Sequence, residues 1–118
     1  MERRVLIIEK DNDIRQVISY LLAEAGYQTL RTASDKEALK IIKKEKPDVI
    51  ILDVVNPHHD ADLCRAIKDS KDINHIPLIV LSTHSKIEIM KEICADEVIP
   101  KPFDILNFIE IIERQFAT

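Results

Sequence analysis

The sequence predicts an α/β fold: a five-stranded parallel sheet with five helices on both faces, in one domain spanning residues 1–118. Three observations lead there. Short apolar runs alternate with amphipathic segments along the whole chain, and the connections between them are short. The strongest run, Val49-Ile50-Ile51-Leu52, is continuous rather than alternating and is flanked by Pro47 and Pro57. A β-branched run of that kind reads as a strand buried on both faces, as parallel strands are.

Taken in order, Arg3 to Glu9 is an apolar run ending in an acid and reads as the first strand. Lys10-Asp11-Asn12-Asp13 offers helix caps, and Ile14, Val17, Ile18, Leu21, Leu22 and Ala25 follow at helical spacing. Gly26, the single glycine, sits where a left-handed helix terminus is wanted. Tyr27 to Thr32 has mixed polarity, which suits an edge strand. Ser34-Asp35-Lys36-Glu37 forms a capping box for a helix through about Glu45, with Ala38, Leu39 and Ile42 inward. Pro47 ends that helix and introduces the central strand.

Asp60 to Asp69 forms the third helix in this reading, with Leu63, Cys64 and Ile67 inside. Pro77 to Ser82 is a second fully buried strand, here ending in a hydroxyl. Ser85 caps a helix carrying Ile87, Met90 and Ile93, and Asp96 to Pro100 is the last strand. Asp104 caps a terminal helix with Ile105, Phe108, Ile109, Ile112 and Phe116 on its apolar positions. The first, third and fourth strands are the most apolar and the second the most polar. That ranking fits the flavodoxin-like strand order 2-1-3-4-5.

Composition narrows the function. With 17 basic against 21 acidic residues the formal charge is −4, and no dense Lys/Arg run offers a phosphate-backbone footprint, so direct nucleic-acid binding is not expected. The longest apolar runs are about five residues, far below the roughly 18 a membrane span needs, and no signal peptide is visible. Cys64 and Cys94 show no CxxC and no disulfide framework, which fits a reducing cytosol, so both read as small core residues rather than redox centres of a cytoplasmic protein. His58, His59, Asp60 and Asp62 read as solvated loop residues rather than a metal site, and His75 and His84 are isolated.

In a parallel sheet the strand ends gather on one rim, where ligand chemistry is done. The first strand brings Glu9, with Lys10 and Asp11 beyond; the third brings Asp53; the fourth Ser82 and Thr83; the fifth Lys101. Carboxylates, a hydroxyl and an ammonium converging on one aspartate form a functional pattern.

Those residues carry a family resemblance over essentially the whole chain. Val5-Leu6-Ile7-Ile8-Glu9, Asp48 to Asp53 with Pro57, Ile76 to Ser82, and Lys101-Pro102-Phe103 resemble, in order and spacing, the receiver domains of two-component response regulators. The resemblance implies that Asp53 accepts a phosphoryl group from a histidine kinase or a histidine phosphotransfer protein. It implies a Mg²⁺ ion held by Glu9, Asp53 and the Val55 main-chain carbonyl, assisted by Ser82 and Lys101. Output then passes to a downstream protein effector through the fourth helix, fifth strand and fifth helix. No turnover of an independent substrate is expected.

The chain departs from that pattern in places. The acidic pair reads Glu9-Lys10, with an ammonium where a second metal-binding acid is usual. Lys10 either swings into solvent, is replaced by Asp11 through a backbone shift, or itself takes the cation's place. Counting Glu9, Asp11 and Asp53 against Lys10 and Lys101 leaves a site charge of −1, a weak attractor for a divalent ion. Val98 stands at the usual aromatic switch position, and Thr83 is bulkier than the residue usual beside the site. A pseudo-receiver that is not phosphorylated is therefore the alternative. A phosphatase is disfavoured because Val55 stands where a general acid is needed, and a nucleotide site because the first turn lacks a glycine-rich loop.

Overall fold

In a computed structural model that describes residues 3–116, ten elements alternate along the chain. They are β1 (Arg4–Ile8), α1 (Asn12–Glu24), β2 (Gln28–Thr32), α2 (Asp35–Glu45), β3 (Val49–Asp53), α3 (Pro57–Asp69), β4 (Leu78–Ser82), α4 (Ile89–Ile93), β5 (Glu97–Pro100) and α5 (Ile105–Arg114). The strands form one parallel sheet in the order β2-β1-β3-β4-β5, as the polarity ranking predicts. Met1, Glu2, Ala117 and Thr118, where the expected chain ends fall, and the His59 side chain lie outside the described residues.

Two apolar layers flank the sheet because strand side chains alternate between its faces. Leu6, Ile8, Ile50, Leu52, Leu78 and Val80 pack with α2, α3 and α4 on one face. Val5, Ile7, Val49, Ile51, Ile79, Leu81 and Ile99 pack with α1 and α5 on the other, around the fully buried Phe108. β2 is an edge strand, and none of its residues is buried.

The helix boundaries follow local chemistry. Asp11 caps α1, its side chain accepting from the Asp13 and Ile14 amides. Gly26 takes φ 96°, the left-handed region expected of it. Ser34 caps α2 by accepting from the Glu37 amide. Lys46 ends that helix at φ 45°, a left-handed residue that is not glycine. The apolar stripe of α1 is narrower than its sequence suggests. Ile18 and Leu22 are buried, whereas Ile14 and Val17 are exposed. Ser19 takes a place on the inner face by bonding Thr29 across to β2.

Three expectations are corrected. α3 begins at Pro57 rather than Asp60, because Asn56 accepts from the His58 amide and proline is suited to the first helical turn. Ser85 caps nothing: residues 85–88 form a turn, and α4 starts after Glu88 without a side-chain cap. Cys64 and Cys94 are core residues but not separate thiols. They are joined in a disulfide between α3 and the end of α4, with Cα atoms 5.7 Å apart. Their sequence separation of 30 carries no signal of the pairing; only the packing of α3 against α4 creates it.

Phe108 sets a test of the α1–α5 layer. Its ring lies 4.8 Å from that of Phe103 and is fully buried. Phe108→Ala is expected to cost about 4 kcal/mol, lowering the urea midpoint by on the order of 2 M at an ordinary m-value.

Candidate functional site

The sheet register assembles the rim. Ile8 lies opposite Leu52, so the next residues along each strand, Glu9 and Asp53, are neighbours. The Glu9 amide bonds to the Thr32 carbonyl and extends the strand by one residue. Ser82 lies opposite Pro100, and the Lys101 amide donates to the Ser82 carbonyl at 2.8 Å. From that position the Lys101 side chain reaches back across β4. Its Nζ lies 2.5 Å from Asp53 Oδ1 and 3.1 Å from Glu9 Oε1. One ammonium thus bridges two carboxylates carried by different strands.

The three side chains are largely shielded, with exposures of 3% for Glu9, 14% for Asp53 and 15% for Lys101. Burial alone would push the Lys101 ammonium toward its neutral form. The hydrogen bonds and charges of Asp53 and Glu9 outweigh it, so the Lys101 pKa rises above its ordinary value. Glu9 is further tied down where its Oε2 accepts from the Asp11 amide at 3.2 Å, and its carbonyl accepts from Arg15 at 2.7 Å. Among the described residues no protein donor reaches Asp53 Oδ2, which leaves that oxygen available to a ligand.

A cleft of ≈ 10 Å³, enough for one water or one small ion, opens beside Asp53. Ile8, Glu9, Lys10, Asp35, Leu52, Asp53, Val55 and Asp60 line it. Sequence reasoning missed two of these. Asp35 is the first residue of α2, and Asp60 holds the β3–α3 loop. One oxygen of Asp60 accepts from both the Val55 and Asn56 amides at 2.9 Å. The signal was an acid one turn past Asn56-Pro57 in the first turn of a helix, a position where carboxylates satisfy free backbone amides. Asp11 does not line the cleft; it caps α1 instead.

The donors suit a hard cation. Glu9 and Asp53 bring two carboxylates to the cleft, which Val55 also lines, and Mg²⁺ commonly binds through one or two carboxylates while keeping several waters. No cluster of three or more His, Cys, Asp or Glu side chains suited to a metal occurs among the described residues. His58 is exposed at the start of α3, consistent with a solvated position.

The remaining rim residues stand apart from the bridge. Ser82 is 1% exposed, and its Oγ accepts from the His84 amide at 3.0 Å, keeping its own proton free to donate elsewhere. Thr83 is exposed. Val98 packs partly buried against the α2–α3–α4 layer. No helix among the described residues is long and apolar enough to cross a membrane.

The chain as a whole is similar to known proteins. The family model of the response regulator receiver domain matches residues 5–113. The polar-differentiation response regulator DivK of Brucella ovis is 31% identical over 118 residues, covering 96% of this chain and 95% of that protein. A protein of Porphyridium aerugineum named as the transcriptional regulator ycf27 is 32% identical over 103 residues. The match covers 86% of this chain but 43% of that protein, so the chain spans less than half of that relative. Among solved structures, the signal receiver domain of a signal transduction histidine kinase from Syntrophus aciditrophicus is 29% identical with a TM-score of 0.87, covering 98% of this chain and 90% of that one.

Lys101→Met removes the shared counter-charge and leaves Glu9 and Asp53 facing each other. It is expected to cost about 3 kcal/mol at neutral pH by urea unfolding. Because the folded-state pKa of Lys101 is raised, its contribution is fully present below the ordinary value of 10.5 and is lost as pH rises through the higher folded value. The gap between wild type and Lys101→Met should therefore hold up to that point and narrow above it.

Proposed function

This chain belongs to the response regulator receiver domain family, a class of signalling modules, and we propose that it is the phosphoacceptor of a two-component phosphorelay, with Asp53 as the acceptor. The observation that carries this is the Lys101 bridge. It engages Asp53 Oδ1 and leaves Oδ2 without a protein donor among the described residues, on an aspartate that lines the cleft. In the proposed transfer, Oδ2 attacks the phosphorus of a phosphohistidine, the bond to the imidazole nitrogen breaks, and the imidazole leaves with a proton. The Lys101 ammonium stays beside the new acyl phosphate as a fixed positive charge. The Ser82 hydroxyl, which accepts from the His84 amide, donates its own proton to a phosphoryl oxygen.

Glu9, Asp53 and the Val55 carbonyl would hold Mg²⁺, which offsets the added phosphoryl charge when bound. Asp60 fixes the loop that presents Val55. Lys10, exposed at the edge of the same cleft, weakens that binding. The same lysine favours the second reading, a receiver-fold interaction domain that is not phosphorylated. The proposed donor is a histidine kinase or histidine phosphotransfer protein, the output a protein effector meeting α4, β5 and α5, the location cytoplasmic, and the unit residues 1–118. No turnover of an independent substrate is part of this proposal.

Incubation with acetyl phosphate and Mg²⁺ is expected to add one phosphoryl mass that is absent from Asp53→Asn. An unmodified wild type under the same conditions establishes the non-phosphorylated reading instead. Lys10→Asp is expected to tighten Mg²⁺ binding by about tenfold, since it replaces a repelled charge with an attracted one. An unchanged titration curve would remove Lys10 from the account of the site.

A further inference from the structure

The phosphoacceptor site makes no use of the disulfide joining Cys64 to Cys94. We propose that these two cysteines form a redox modification site, whose reduction by a dithiol releases α4 from α3 while the rest of the fold stays in place. This goes beyond the signalling role above and does not rest on it.

The position of the bond is the first reason. Cys64 lies within α3, and Cys94 is the residue that closes α4. α4 is a five-residue helix, and Glu88, at its start, makes no side-chain cap. A single uncapped turn has almost no stability of its own and exists by virtue of what holds it. Apart from the disulfide, the segment is held by the buried Ile87, Met90 and Ala95 and the partly buried Ile93. The disulfide is the one covalent link that ties this short, uncapped segment to α3.

The surroundings are the second reason. Both cysteines belong to the apolar layer that includes Ile67, Ile73 and Ile76. A reduced cysteine behaves there as a small hydrophobe, so two thiols are as compatible with that layer as one disulfide. Reduction removes a tether without burying a charge or opening a polar gap. Oxidised and reduced forms then share one fold and differ in the freedom of α4.

The exchange chemistry closes. Of the two residues Cys94 lies nearer solvent, at 8% exposure against none for Cys64, so attack is assigned to Cys94 Sγ. A thiolate of the dithiol attacks Cys94 Sγ, the S–S bond breaks, and Cys64 leaves as a thiolate that takes up a proton. The reductant's second thiolate then displaces Cys94 from the mixed disulfide, and Cys94 is protonated in turn. Two electrons pass to the protein, and the reductant ends as its own disulfide. For reoxidation, the Cys94 thiolate attacks oxidised glutathione and releases one glutathione thiolate, and the Cys64 thiolate then attacks Cys94 Sγ of the Cys94–glutathione disulfide and releases the second. Redox state thereby sets the mobility of residues 83–95, most of the stretch that joins Ser82 to β5.

The test is hydrogen exchange by mass spectrometry on the unphosphorylated protein, with and without dithiothreitol, the disulfide being scored by alkylation after denaturation. Reduction is expected to speed exchange across residues 83–95 by about tenfold, with β1, β3 and β4 unchanged. Asp53→Asn should show the same difference, so this result is independent of phosphorylation. The double variant Cys64→Ala/Cys94→Ala should match the reduced wild type. In single variants, oxidised glutathione should modify Cys94 in Cys64→Ala, and should leave the buried Cys64 of Cys94→Ala unmodified in the native protein. Two alkylated cysteines in the untreated protein, equal exchange in both redox states, a uniform rise across the whole sheet, or ready modification of Cys64 would each overturn the proposal.

Discussion

One ammonium placed across two carboxylates is the constraint on which the candidate site depends. Glu9 follows β1, Asp53 ends β3, and the two belong to adjacent strands whose side-by-side pairing is fixed by apolar register. Two shielded carboxylates that close would repel each other and disfavour the fold that brings them together. Lys101 resolves this by reaching from the far edge of the sheet, across β4, to touch both. The bridge links β1, β3 and β5 by charge at the rim, where the backbone ladder of the sheet comes to an end. A phosphoryl group arriving at Asp53 would meet a positive charge already in place, which is why the same contact serves both stability and the proposed chemistry.

Much of this was legible in the sequence because it depends on local patterns. Continuous apolar runs gave the buried strands, and the position of a polar residue immediately after each run gave the rim. Glu9, Asp53, Ser82 and Lys101 could be named together because a parallel sheet has one carboxyl-terminal edge. Gly26 and Ser34 marked helix ends through chemistry confined to three or four neighbouring residues. What stayed hidden depends on distant contacts. The disulfide pairs residues 30 positions apart with no motif spacing. The narrow inner face of α1 arises because Ser19 meets Thr29 on β2, whereas a hydrophobic stripe counts only the helix itself.

Asp60 and Asp11 show how the same residue type is sorted by backbone demand. Each lies near the cleft in sequence terms, and each is an acid at the start of a helix. Asp11 spends one oxygen on the Asp13 and Ile14 amides and stays outside the cleft. Asp60 turns back onto the Val55 and Asn56 amides and lines it. The loop after Asp53 has no glycine to relax its geometry, so a carboxylate that satisfies two successive amides is what holds its shape. Composition could not distinguish these two roles, because the unsatisfied amides that decide them belong to different loops.

Lys10 and the disulfide lie on opposite sides of the same question, how freely the rim can respond to charge. An ammonium at the cleft reduces the electrostatic drive for a divalent ion, so in the proposed phosphoacceptor more of the stabilisation of an added phosphoryl group would rest on Lys101. The proposed response would then pass through Ser82 into the residues before α4, since Val98 has no ring to exchange between positions. That segment is short, uncapped and stitched to α3. A stiff strand end feeding a weak helix can transmit motion only if the helix is free to move, and the covalent link decides that freedom. In these proposals the charge pattern at Asp53 would act on the segment after Ser82, and the disulfide, whose Cys94 lies 11 residues beyond Thr83, would set how freely that segment moves.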